Sequence, residues 1–111
     1  MIPNKITNTV TLTAGGNKTF SELTRGITSL GTIGLEFVGD SGLSTTVTVL
    51  MQIRYGTEWV TLVDSAGSDV TGTVAASGTL VFSNVNVPAG ADIRPLFVTN
   101  ATGDIDVTSW A

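Results

Sequence analysis

The sequence predicts an all-β fold, an antiparallel β-sandwich of about eight strands, and three observations predict it. The 111 residues include 19 Thr, 13 Val and 13 Gly with only 13% charged side chains, the profile of a β protein with many tight turns. Apolar residues recur at every second position through several segments, which puts them on one face of a strand. Turn signals return every ~10 to 13 residues, the rhythm of a sandwich or barrel. The length is that of one domain, residues 1–111, with no internal repeat or linker. A chain of this size buries somewhat over ~60% of its extended surface, so one core forms without covalent staples.

The elements follow in order. Ile6, Val10 and Leu12 hold even positions while Thr7, Thr9, Thr11 and Thr13 fill odd ones, giving a first strand with one buried and one wetted face. Ala14-Gly15-Gly16-Asn17 ends it. Between residues 20 and 30, Phe20, Leu23, Ile27 and Leu30 fit a helical turn or an irregular excursion, and the segment reads as mostly loop. Ile33, Leu35 and Phe37 alternate again before the turn Gly39-Asp40-Ser41-Gly42. Across residues 45–55, Val47, Val49, Met51, Ile53 and Tyr55 keep period two, with Leu50 the exception, so this is the longest strand and a central one. Gly56 then permits a hairpin turn into a strand over residues 59–63. Further strands are expected at 70–75, 80–87, 93–98 and 105–109, separated by Ala76-Ser77-Gly78, Pro88-Ala89-Gly90 and Asn100-Ala101-Thr102-Gly103. Pro95 lies inside one of them and marks it as an edge strand or a bulge, because proline cannot donate to a ladder.

Composition excludes whole classes of chemistry. The chain has no Cys and no His, which removes disulfides, cysteine zinc sites and every imidazole-based triad. A net charge of −4 with no basic block argues against nucleic acid as a partner. No apolar run approaches the ~18 residues of a membrane-spanning helix, so no membrane is expected. Met1-Ile2-Pro3-Asn4-Lys5 lacks the apolar stretch of a secretory signal peptide, which predicts synthesis in the cytoplasm without export. A mean hydropathy of +0.35 disfavours disorder.

Few groups remain for catalysis or metal binding. Asp64-Ser65-Ala66-Gly67-Ser68-Asp69 holds two carboxylates in a loop but lacks the further oxygen ligands of a calcium site, so it reads as a turn. Asp104 and Asp106 share one strand face, with Glu36, Glu58 and Asp92 on separate segments; exposed strand positions explain them better than a glycosidase pair. The column Thr7, Thr9, Thr11 and Thr13 is what a solvent-facing β position selects, rather than a flat ice-binding array. The expectation is a protein that is not an enzyme, with no cofactor, no metal and no catalytic residue. Tyr55, Trp59 and Trp110 are the candidate interface or ligand residues: Tyr55 and Trp59 bracket a hairpin tip, and aromatic surface there suits a protein partner or a sugar ring.

Two segments carry a family resemblance. Gln52-Ile53-Arg54-Tyr55-Gly56-Thr57-Glu58-Trp59-Val60-Thr61-Leu62, and later Ala91-Asp92-Ile93-Arg94-Pro95-Leu96-Phe97-Val98, resemble the small jelly-roll or sandwich modules of tailed-phage virions. The likeness covers roughly the second half of the chain. It implies a structural virion protein, in the first instance a capsid (head) decoration protein that binds the coat-protein lattice or other virion proteins as a homo-oligomer, with a trimer as the expected form. The absence of Cys and His suits a particle that must persist outside cells. The alternative is a carbohydrate-binding or adhesion module that stacks a glycan on Tyr55, Trp59 or Trp110.

Overall fold

The computed structural model describes residues 5–13, 18–19, 31–87 and 91–110. Nine strands run through them: β1 (Lys5–Leu12), β2 (Lys18–Thr19), β3 (Gly31–Gly39), β4 (Val47–Tyr55), β5 (Glu58–Thr61), β6 (Thr71–Val74), β7 (Thr79–Val87), β8 (Asp92–Val98) and β9 (Gly103–Trp110). The segment 20–30, expected to be mostly loop, lies outside the described residues.

All strand pairs are antiparallel, in two sheets. The first has the order β1-β9-β3-β7 and the second β2-β8-β4-β5, with β6 also pairing β4. The chain crosses between sheets at almost every connection, and only β4, β5 and β6 follow one another in the same one. That wrapping is a jelly-roll arrangement, the form the family resemblance implied.

The period-two pattern decides which side of each sheet is buried. Val10 and Leu12 of β1, Ile33, Leu35 and Phe37 of β3, and Ile105 and Val107 of β9 are the inward residues of the first sheet; Val47, Val49, Met51, Ile53, Val74, Ile93 and Phe97 answer them from the second. Phe37 joins the layers. Its ring makes edge contacts with Phe82 of β7, centroids 5.9 Å apart, and with Phe97 of β8 across the sandwich at 6.0 Å.

Two local features differ from the sequence reading, the end of β5 and the setting of Pro95. β4 is flanked on one side by two short strands in succession: β5 pairs Gln52 to Tyr55, and β6 pairs Val47 to Leu50. Between them the chain leaves the sheet after Leu62, so the strand expected over 59–63 ends at Thr61 and Val63 instead bridges Asp69 in a projecting arm. Pro95 sits in β8, which lies between β2 and β4 and is therefore not an edge strand, and β8 pairs β4 without a register shift. The reason is geometric. The N–H of Met51, opposite Pro95, donates to Val70 and its C=O accepts from Leu62, so both point away from β8. Met51 and Pro95 form a non-hydrogen-bonded pair, and the missing proline N–H takes nothing from the β4–β8 ladder. The bulge occurs in β7 instead, where Ser83 and Asn84 together face Gly34.

Candidate functional site

The outer face of the second sheet is built from β5, β4 and β8. A two-residue hairpin connects Tyr55 to Glu58, and Gly56 takes φ +74° as its first central residue, the II′ pattern that suits twisted strands. This turn fixes the register that puts Trp59 opposite Arg54, and Arg54 is in turn opposite Asp92 on β8. One step along, Thr61, Gln52 and Arg94 form the next row. Inward neighbours Ile53 and Ile93 are buried, so alternation turns all six outward.

These side chains hold one another. The Arg54 guanidinium carbon lies 4.7 Å from the Trp59 ring centre, and that of Arg94, from the strand beyond, lies 4.1 Å from it. Both are within cation–π range. Arg54 Nη2 donates to Asp92 Oδ2 at 2.9 Å in an ion pair whose side chains are 33% and 29% exposed, and Arg94 Nε donates to Gln52 Oε1 at 2.8 Å. Desolvation first, and the charge of Arg54 second, push Arg94 below the ordinary guanidinium range, yet it remains charged at neutral pH. Farther along the same face, Leu50 pairs with Leu96, and Thr48 with Val98, which is 41% exposed. The alternation exception Leu50 is thus an outward leucine half-covered by a second one.

Chemically, this is a pre-ordered aromatic and cationic patch with an apolar extension. Trp and Arg carry a disproportionate share of protein-interface energy, and side chains already held in place lose less freedom on binding. Of the candidates read from sequence, Trp59 is the residue at its centre. Tyr55 is placed by backbone register at the hairpin tip opposite Glu58, and Trp110 ends β9 in the other sheet, opposite Lys5 and Gly34; the three aromatics are not on one strand cluster. The residues missed were Arg54, Arg94, Gln52 and Asp92. The hairpin register was a signal for Arg54, whereas Arg94 needed the β8–β4 pairing.

The remaining acidic candidates have other occupations. Asp64 Oδ1 accepts from the N–H groups of Ala66 at 2.9 Å and Ser68 at 3.0 Å, closing an Asx-type loop on itself. Among the described residues no three carboxylates gather as a metal site. Asp106 Oδ1 accepts from the Thr9 hydroxyl at 2.7 Å, and Thr7 and Thr108 share a hydrogen bond at 3.1 Å, so part of the threonine column is used in cross-strand bonding. A groove of 540 Å³ also opens between the projecting arm and β7, lined by Val63, Val70, Val81, Phe82 and Val85. Its two acidic residues, Asp64 and Asp69, belong to the arm.

Comparison of the chain with protein-family models, with curated proteins and with solved structures gave no match.

Proposed function

We propose that this chain is a structural virion protein: a capsid decoration module that acts as a homo-oligomer and binds a coat-protein lattice. The observation that carries the reading is the patch of Trp59, Arg54 and Arg94 beside Leu50, Leu96 and Val98. An outward sheet face with an aromatic anchor, forked cations and an apolar margin has the chemistry of a protein–protein contact. Glycan stacking is less well supported, because two guanidiniums already lie over the Trp59 ring and a sugar would have to displace them.

The test is co-sedimentation of the purified protein with empty shells of the coat protein encoded in the same genome. Saturable binding that drops at least tenfold in Trp59→Ala, with the fold intact by circular dichroism, is the expected result. Failure to bind shells sinks the decoration role, and binding to a glycan array that Trp59→Ala abolishes would put the adhesion reading in its place.

A further inference from the structure

We propose that the Arg54–Trp59–Arg94 face of one copy packs against the threonine and carboxylate face of the opposite sheet in a second copy, so that molecules associate head to tail. This rests on reading the patch as a protein interface and names its partner.

The chain has five cationic and nine anionic side chains, and those the structure describes are not mixed evenly over the sandwich. Arg54 and Arg94 stand together on the outer face of the second sheet, where Asp92 offsets one of them. On the outer face of the first sheet, β9 contributes Asp104 and Asp106, and β3 contributes Glu36, which pairs with Thr108. Asp40 adds a fourth carboxylate at the end of β3, its N–H bonded to the Asp104 carbonyl. The register puts Lys5 at the other end of β1 from the pairs Thr9–Asp106 and Thr11–Asp104. Among the described residues none of these four carboxylates is in an ion pair. Among the described side chains the two outer faces therefore carry opposite charge.

Shape agrees with charge. Along β1 the acidic face carries short exposed side chains, Thr7, Thr9 and Thr11, which leave a shallow surface for longer groups. The opposing face supplies those groups. Arg94 uses Nε for Gln52 and Arg54 uses one Nη2 bond for Asp92, so each retains guanidinium N–H donors beyond those bonds. Forked Arg donors match carboxylates.

Symmetric alternatives are opposed by the same charges. A two-fold dimer through the basic patch would bring Arg54 and Arg94 against their own copies, and one through the acidic face would oppose carboxylates to carboxylates. Only unlike faces attract. Because the faces belong to opposite sides of the sandwich, the contact is heterologous and repeats: it closes as a ring when successive copies are inclined and extends as a column when they are not.

The experiment uses the purified full chain alone, by light scattering after size exclusion and by sedimentation at 50 and 500 mM salt. Mass above the 11.4 kDa monomer at low salt, with association at least about tenfold weaker at high salt, is expected. Arg94→Glu and Asp106→Lys should each stay monomeric at low salt while remaining folded by circular dichroism, and Arg94→Gln replaces Arg94→Glu if the latter does not fold. Mixed one to one, they should associate again, since each variant keeps the face the other lost and the two reversed charges are complementary to each other. A wild type that is monomeric at low salt, or a mixture that stays monomeric, overturns the proposal. The decoration reading fails separately: a monomer that still sediments with shells refutes only head-to-tail contact, and an assembling protein that ignores shells refutes only shell binding.

Discussion

Arg94 lies with its guanidinium 4.1 Å from the centre of the Trp59 ring although the two residues belong to strands that are not neighbours. β4 runs between them, and the two side chains meet over it, Trp59 from the row of Arg54 and Arg94 from the row of Gln52. Adjacent strands are about 4.8 Å apart, so the contact spans two such spacings and ties β5 to β8 over the surface of the sheet. Side-chain contact supplements the ladder here, because β5 is only four residues long.

A double-mutant cycle should measure that tie. Trp59→Ala and Arg94→Ala are each expected to destabilise the fold, and the two together should cost less than their sum by about 0.5–1 kcal/mol, the coupling of a half-exposed cation–π pair. Urea unfolding followed by far-ultraviolet circular dichroism checks it, and additivity within error would mean the ring and the guanidinium do not support one another in solution.

Phe37 should be the most sensitive position in the core. It is fully buried and is the ring that touches both Phe82 in its own sheet and Phe97 in the other. Phe37→Ala removes both edge contacts and leaves a cavity between layers, for an expected loss of about 3–5 kcal/mol. Phe37→Leu should cost clearly less. Equal losses in the two variants by chemical denaturation would show that the site collapses around the smaller side chain.

Ser109 runs the other way. Its side chain is completely buried on β9, between Ile6 and Leu35 in register, and its Oγ has no hydrogen-bond partner among the described residues. An unsatisfied buried hydroxyl carries a desolvation cost, so Ser109→Ala should stabilise by about 1 kcal/mol. A higher melting temperature is the expected readout, whereas a drop would reveal a partner for the hydroxyl.

These positions also show what was legible in the sequence. β1 could be read directly because Thr7, Thr9 and Thr11 alternate with buried Val10 and Leu12, and β4 because its inward set from Val47 to Ile53 is unbroken. The end of β5 was hidden, since Leu62 and Val63 continue the apolar run although only Leu62 goes into the core; Val63 is 51% exposed. β2 has two residues and no period to detect. Pro95 was misread as an edge marker because the direction of a backbone N–H depends on register, which periodicity does not supply. At the candidate site, Trp59 was visible from its place beside a glycine hairpin. Its partnership with Arg94 was not, because that depends on which strand lies next to β4, a non-local fact.

Two glycines should respond to alanine for different reasons. Gly56 has φ +74° and open space around the position of a Cβ, so Gly56→Ala meets only the backbone cost of a left-handed conformation, about 1 kcal/mol. Gly39 has no such backbone requirement. It ends β3 where the chain turns past residues 75–78: its N–H donates to the Gly78 carbonyl at 2.9 Å, its own carbonyl accepts from Ser77 at 3.0 Å, and a Cβ would come within 2.3 Å of the Ala75 carbonyl oxygen. That neighbour is main chain and cannot rotate aside, so Gly39→Ala must push the β6–β7 turn off β3 and break both hydrogen bonds. The expected loss is about 2–3 kcal/mol, larger than at Gly56. Hydrogen exchange separates the mechanisms: Gly39→Ala should deprotect the Ser77 and Gly39 amides, and Gly56→Ala should leave them slow. If both variants lose the same stability with those amides protected, the close approach of β3 to the 75–78 turn is not what requires glycine at position 39.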